Sequence, residues 1–424
     1  MTSTPDLQSS LRPVRLAYGR DGLVVDLPAD ATVLTPTDLP ALGDQAGEVA
    51  AAVRDALPVT LADGPVAVVY PDLTRPFPAK TVLPALLGVL AERGVPDDRI
   101  RLLCATGTHR QATHAEMRDL IGDDLVDRYR VHDHDSTDVE AHAEVGVVDG
   151  VPVRLDRAYL ECPTRIVTGF VEPHFFAGFS GGPKAVCPGL AELSTVLEAH
   201  SPARIADERA TWTVLDGNPV QDFVRRAVAL APPTLSVDVA INGSREVTAV
   251  FAGELAEAHQ RACAFVDHTS VLHVDEPFDV VVTTNAGHPL DRNLYQAVKG
   301  MTAAERLVRD GGAIVCAAAC GDGVPDDGGF GRLLAEARTV EDLLAPPSTH
   351  DQWQVQILGR ILARASVGLY AEGLSDEQIR GALLEPVTDV AAEVQRRLAE
   401  AGPGARLAVL PEGPLTVGTV GTVG

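Results

Sequence analysis

Pro65-Val-Ala-Val-Val-Tyr70-Pro-Asp-Leu-Thr-Arg-Pro-Phe-Pro78 begins as an unbroken apolar run and ends as a proline-stiffened polar turn. So short a run, rich in valine and without alternation, predicts a strand buried on both faces. The pattern continues outward from it. Lys80 to Arg93 carries helical periodicity and stops at Gly94, and Arg99 to Ala105 is strand-like again. Arg165-Ile-Val-Thr168 predicts a strand and Ala191 to His200 a helix. Asp279-Val-Val-Val-Thr-Thr284 predicts another strand, followed by a helical segment into Arg309 and the strand Gly312 to Ala318. Buried strands alternating with helices predict parallel sheets covered on both faces. His273-Val-Asp-Glu-Pro277 interrupts the series before a fresh one starts. The expected architecture is therefore two α/β domains with largely parallel sheets flanked by helices, residues 1–272 and 273–424, with the active site in the cleft between them.

Composition bounds the function. The chain has 424 residues, 46% hydrophobic and 22% charged, enough to bury sizeable cores and to exclude a disordered or fibrous protein. Its 35 basic and 59 acidic residues leave a formal charge of −24. So acidic a surface repels phosphate backbones and anionic lipid, which argues against nucleic acid and membrane as partners. Met1 to Gln8 lacks the basic and apolar regions of a signal peptide, and no apolar run approaches the roughly 20 residues that span a bilayer. A cytoplasmic protein is expected. Six cysteines in a chain this long do not make a disulfide scaffold, and Cys316 and Cys320 read as small core residues. The repetitive tail Leu415 to Gly424 predicts a last strand or a loose end without chemistry.

Lysine is more telling. Only Lys80, Lys184 and Lys299 occur, and every other basic residue is arginine. Where arginine serves wherever a positive charge suffices, a retained lysine points to a need for an amine or a compact ammonium. Lys80 opens a helix and needs no special role.

Four segments are too polar and too rich in glycine and proline to be mere connections. The first places Asp72, Thr74 and Arg75 just past a strand, where arginine grips a carboxylate or phosphate, or where Asp72 and Arg75 pin the turn as an ion pair. In the second, Cys104-Ala-Thr-Gly-Thr-His-Arg110, His109 emerges at a strand-to-helix turn, a suitable place for acid–base work. His132, His134 and His142 lie in an acidic, loop-like stretch and read as structural or solvated. The third runs from Gly169 to Gly189. Its Ser180-Gly-Gly-Pro-Lys184 reads as an anion cradle of bare N–H groups beside a hydroxyl and a lysine, though it lacks the spacing of a P-loop. His174 sits there among aromatics, and the following helix ends at His200, an imidazole suited either to a transition metal or to a helix C-terminus. In the fourth, Asn285 to Gly300, helical spacing gathers Tyr295, Gln296 and Lys299 on one face.

Together these stretches resemble the nickel-pincer lactate racemase family of 2-hydroxy acid racemases and epimerases. The matching residues are Asp72-Leu-Thr-Arg-Pro76, Thr106-Gly-Thr-His109, Glu172 to Lys184, His200, Pro289 to Gly300 and Asp351-Gln-Trp-Gln354, in the family's order. The resemblance implies a nickel pincer nucleotide, a pyridinium thioamide–thiocarboxylic acid mononucleotide gripping nickel, made by separate maturation proteins. Lys184 matches the lysine that joins it through a thioamide, and His200 matches the protein ligand to nickel. His109 and His174 match the acid–base pair. Arg75, Tyr295, Gln296 and Lys299 match the groups holding the substrate. Asp72, Ser180, Gly181 and Gly182 match the region around the nucleotide's sugar and phosphate, and Trp353 an aromatic beside the cofactor.

The implied chemistry suits these residues. A 2-hydroxy acid has a weakly acidic Cα–H, so inversion by proton removal is hard. Reversible hydride transfer to the bound nucleotide leaves instead a planar 2-keto acid that can be reduced from either face, while two histidines exchange the hydroxyl proton. Tyr295, Phe175 and Phe176 point to a modest, partly apolar pocket for lactate or a larger homologue. Two other readings compete: a divalent-metal hydrolase with His109, His174 and His200 as ligands, and a non-catalytic organic-acid binding protein.

Overall fold

The computed structural model describes residues 10–325 and 329–421. Met1 to Gln8 and the final Thr422 to Gly424 of the repetitive tail lie outside them. The chain forms two compact units, 38–269 and a second made of 1–37 with 270–424.

The first unit is built on six strands: β1 (Val66–Pro71), β2 (Ile100–Ala105), β3 (Arg130–Asp133), β4 (Thr164–Phe170), β5 (Leu235–Ile241) and β6 (Val247–Gly253). Their order is β6-β5-β4-β1-β2-β3, parallel throughout except for the β5–β6 pair. Strand β1 is buried along nearly its whole length because it feeds two cores. Val66, Val68 and Tyr70 pack with Val82, Leu83 and Leu86 of α1 (Ala79–Glu92), while Ala67 and Val69 face Leu155, Val196 and Phe223 on the other side. The opposite layer contains α2 (Leu193–Ala199) and α3 (Pro219–Ala229), and α4 (Leu255–Ser270) closes the unit. This is the period-two alternation of a strand covered on both faces.

The second unit repeats the architecture with β7 (Phe278–Thr284), β8 (Val308–Ala317), β9 (Ser366–Tyr370), β10 (Glu385–Pro386) and β11 (Leu407–Leu410). The order is β10-β9-β8-β7-β11, and Thr32–Val33 extends it, every pairing parallel. The helical segment expected to reach Arg309 is α5 (Leu294–Glu305); Val308 instead pairs with Phe278 and begins β8. Ladder pairing wins over helical propensity there. Helix α6 (Gln352–Arg364) packs on α5.

Residues 1–37, expected with the N-terminal domain, group with the C-terminal unit. The antiparallel strands Leu11–Leu16 and Leu23–Pro28 bury Val14, Leu16, Val25 and Leu27 against Val280, Val282, Val315 and Val409. The tail forms a strand, Val417–Val420, parallel to Val271–Val274. All six cysteines are buried and free. Among the described residues no helix is long and apolar enough to cross a membrane.

Candidate active site

The first unit presents its chemistry just past the carboxyl ends of β1, β2 and β4. After β1 the chain turns through Asp72, whose carbonyl accepts from the Arg75 amide at 3.1 Å. The Asp72 carboxylate is buried; it takes the Thr74 hydroxyl on one oxygen at 2.9 Å and lies 3.0 Å from His109 Nδ1 with the other. Burial pushes this carboxyl up, but His109, Arg75 and Thr74 outweigh it and hold it below the ordinary range. Asp72 therefore partners His109 more directly than the expected ion pair with Arg75. An ionised carboxylate only accepts, so Nδ1 donates and a neutral His109 keeps its lone pair on Nε2. Its side chain is 45% exposed, open to a ligand.

After β4 the chain passes through the aromatic cluster. His174 is buried, stacked on Phe175 at 4.8 Å and edge-on to Phe176 at 4.5 Å. Its Nδ1 accepts the amide N–H groups of Phe176 and Ala177 at 3.4 and 3.3 Å, which puts its proton on Nε2. The two histidines thus rest in opposite tautomers. The ring of Phe176 joins three of the expected residues: Lys184 Nζ lies 5.5 Å from its centroid, and His200 packs edge-on at 5.2 Å. His200 closes α2, and its Nδ1 donates to Val196 O at 2.8 Å, orienting Nε2 as a metal-ligand imidazole is oriented. Beside Lys184, burial pushes the Cys187 thiol up to about 12, only partly offset by the lysine, so it stays protonated.

The Ser180–Gly182 turn is not the cradle of bare N–H groups expected. Gly182 N–H donates to the buried Asp238 carboxylate at 3.0 Å. The Ser180 hydroxyl donates to Phe170 O at 3.0 Å and accepts from Glu172 N–H at 2.9 Å, while Ser180 O receives His259 Nε2 at 2.9 Å. Burial pushes the Asp238 carboxyl up and the His259 imidazole down, so both favour their neutral forms. Gly182 has φ +51°, and a Cβ there would come within 2.5 Å of the His259 ring. The turn is a rigid footing for Lys184.

In the second unit, Tyr295, Gln296 and Lys299 do share one half-buried face of α5. Asn293 caps the helix through Gln296 N–H at 3.0 Å. The Tyr295 hydroxyl accepts from Trp353 Nε1 at 3.1 Å, which ties the expected cofactor-side tryptophan to α5. Near its middle α5 touches β7 through Gly300, where a Cβ would stand 1.9 Å from Thr284 O.

Three contributors were not evident from the sequence. Asn218, fully buried, caps α3 and donates to Phe176 O at 3.0 Å; its cap signature, Asn before Pro219, is legible, but its long-range partner is not. Trp212 lies 6.2 Å from Phe175, and its buried Nε1 has no partner among the described residues. The Asp238–His259 pair carries no local signal at all. His109, His174 and His200, the hydrolase triad, do not gather into a three-ligand cluster among the described residues.

Comparison with known proteins gives this arrangement its family. A model described as the lactate racemase N-terminal domain matches residues 18–213, and one described as the lactate racemase C-terminal domain matches residues 274–417. The chain belongs to the lactate racemase family. Within it, the lactate racemases of Thermoanaerobacterium thermosaccharolyticum and Lactiplantibacillus plantarum are each 33% identical, over 82% of this chain and 83% of their own. The solved lactate racemase apoprotein from T. thermosaccharolyticum superposes with a TM-score of 0.88 at 30% identity, covering 96% of this chain and 100% of that one. A Thermotoga maritima protein at 19% identity, with a TM-score of 0.67 over 87% of this chain and 96% of its own, shares the fold.

Proposed function

We propose that this family member, an isomerase, interconverts the enantiomers of lactate or a closely related 2-hydroxy acid, using a nickel pincer nucleotide carried on Lys184. The observation that carries the reading is the ring of Phe176, which brings the amine of Lys184, the oriented imidazole of His200 and the acid–base candidate His174 around one side chain. The residues fit such a group. Lys184 offers an amine on a braced turn, His200 has the second-atom hydrogen bond typical of a metal ligand, and Trp212 Nε1 is an orphaned donor beside the aromatic wall. Lys184 would hold the nucleotide and His200 the nickel.

When bound, that group supplies reversible oxidation of the substrate's Cα–OH carbon. The remaining work falls to the chain. Arg75 and Lys299, helped by Tyr295 and Gln296, hold the carboxylate and provide the positive field that a net charge of −24 denies elsewhere. His109, neutral with its lone pair on Nε2, takes the hydroxyl proton of one enantiomer. His174, when charged to the imidazolium, returns a proton from the other side and is left neutral. The resting tautomer of His109 leaves it ready to start as the base. Reversing the reaction exchanges the roles. Phe175 and Phe176 exclude water from that exchange.

The test is intact mass and nickel content of the protein co-expressed with the cofactor-building proteins, followed by chiral analysis of lactate and larger 2-hydroxy acids. A nucleotide-sized adduct mapping to Lys184, about one nickel per chain and racemisation that is lost in Lys184→Arg support the reading. An unmodified, nickel-free chain, in cells where another lactate racemase matures, overturns it.

A further inference from the structure

The sequence contains one His-x-His, His132 and His134, which the proposed racemase leaves unused. It is not in a solvated loop. His132 belongs to β3, and His134 follows directly, wholly buried, its amide donating to Cys104 O at 3.4 Å as the ladder runs out. Alternate residues of an extended chain project to the same side. Both imidazoles accordingly meet the same carboxylate oxygen: His132 Nε2 lies 2.8 Å, and His134 Nδ1 2.9 Å, from Asp156 Oδ2. The other oxygen, Oδ1, accepts from Ala158 N–H at 2.8 Å.

His142 completes the group. It is 3% exposed, and its ring stands perpendicular to that of His134 with centroids 5.1 Å apart. Its Nδ1 donates to Asp138 O at 2.7 Å, so Nε2 carries the lone pair, and this buried nitrogen has no partner among the described residues. Ligand atoms from His134, His142 and Asp156 all lie within 4.8 Å of one another. His134 repeats the pattern, with its second nitrogen 3.1 Å from Ala191 O. A metal ion among these atoms would take the unpartnered lone pair of His142 Nε2 and the Asp156 carboxylate together.

We propose that His134 Nδ1, His142 Nε2 and Asp156 Oδ2 form a binding site for a divalent transition metal, zinc by preference. Two imidazoles and a carboxylate, with a water in the fourth position, suit tetrahedral zinc, with Zn–N near 2.0–2.1 Å. The backbone carbonyls of Asp138 and Ala191 orient two of the rings, as outer partners of metal-bound histidines do. The ion would clasp the end of β3 to the segment ahead of α2, where Asp156 N–H donates to Leu190 O at 2.9 Å and Leu193 N–H to Ser136 O at 2.8 Å. That segment lies between Lys184 and His200. The site is separate from the nickel site and does not depend on the racemase reading.

The experiment uses full-length protein made without the maturation proteins, stripped with a chelator and titrated with zinc or cobalt(II) ions alone. One tightly held equivalent per chain, the visible spectrum of tetrahedral cobalt and a raised thermal midpoint are expected. The same equivalent should persist in a His109→Ala, His174→Ala, His200→Ala triple variant and disappear in His142→Gln and Asp156→Asn. Binding that the triple variant abolishes, or no binding by the wild type, overturns the proposal. Should His142→Gln fail to fold, zinc-edge anomalous diffraction from zinc-soaked wild-type crystals decides. A peak among His134, His142 and Asp156 supports the site, and its absence there overturns it.

Discussion

Asp72 sets the tautomer of His109: its buried carboxylate, 3.0 Å from Nδ1, can only accept and so leaves the imidazole's basic nitrogen facing outward. Asp72→Asn preserves the shape but can offer an amide N–H to Nδ1, which moves the proton to Nε2. His109 would then present an N–H where the proposed base needs a lone pair. A fall in kcat of about 10²- to 10⁴-fold with little change in KM is expected, the scale of one lost acid–base contribution. Steady-state racemisation in both directions measures it, and an unchanged kcat would separate Asp72 from the proton path.

The same carboxylate makes a prediction about acid stability. Its folded pKa is depressed below the unfolded value of roughly 3.9. The unfolded state therefore binds the proton more readily, and the stabilisation is fully present above that value and lost as pH falls through the folded pKa. Between about pH 5 and the folded pKa, Asp72→Asn should lose stability less steeply than the wild type. Urea midpoints across that range test the difference in slope, and parallel curves would contradict it.

Lys299 stands half-buried on the face of α5 that carries Tyr295. Lys299→Arg keeps the charge but replaces a compact ammonium by a planar fork. A charge-assisted hydrogen bond contributes about 1.5–3 kcal/mol, so its loss should lower kcat/KM by roughly 10- to 100-fold. The far-UV spectrum and thermal midpoint should stay within error. Wild-type kinetics in this variant would remove Lys299 from the carboxylate site.

Gly300→Ala tests whether the position of α5 matters. A methyl group 1.9 Å from Thr284 O cannot be accommodated without moving the helix away from β7. Such overpacking costs about 1–3 kcal/mol, which should lower the thermal midpoint by several degrees. Because Tyr295, Gln296 and Lys299 ride on the same helix, KM should rise as well. A lower midpoint at unchanged KM would mean that α5 does not hold the substrate or tolerates displacement.

The sequence made local structure legible. Valine runs such as 66–69 announced strands, and the motifs around Asp72, His109, Lys184 and Tyr295 announced the polar ends that follow strands or open helices. What it hid depends on pairing at long range. Nothing in Leu11 to Pro28 says which valines it will meet. Ser180-Gly-Gly looked like bare N–H groups because the acceptor, Asp238, arrives from a distant strand. His134 and His142 read as structural or solvated because acidic neighbours suggest a loop, and the partners of His134, Asp156 and the Ala191 carbonyl, come from elsewhere in the unit. Periodicity reports which face a residue takes and is silent about the group opposite.

The placement of residues 10–37 has a consequence for how the protein is made. Thr32 and Val33 pair with Ala408 and Val409, and Ala17 N–H reaches Pro411 O, so these strands wait for partners made almost 400 residues later. Meanwhile the unit 38–269 has all its own strands in hand. The ordering is thus inverted: residues 38–269 can settle during translation, while residues 11–33 stay apolar and unpartnered until residues 407–411 have been made. Contacts of such long sequence separation form slowly. Chaperone dependence and aggregation of truncated chains should accordingly trace to Leu11–Pro28 rather than to the catalytic motifs.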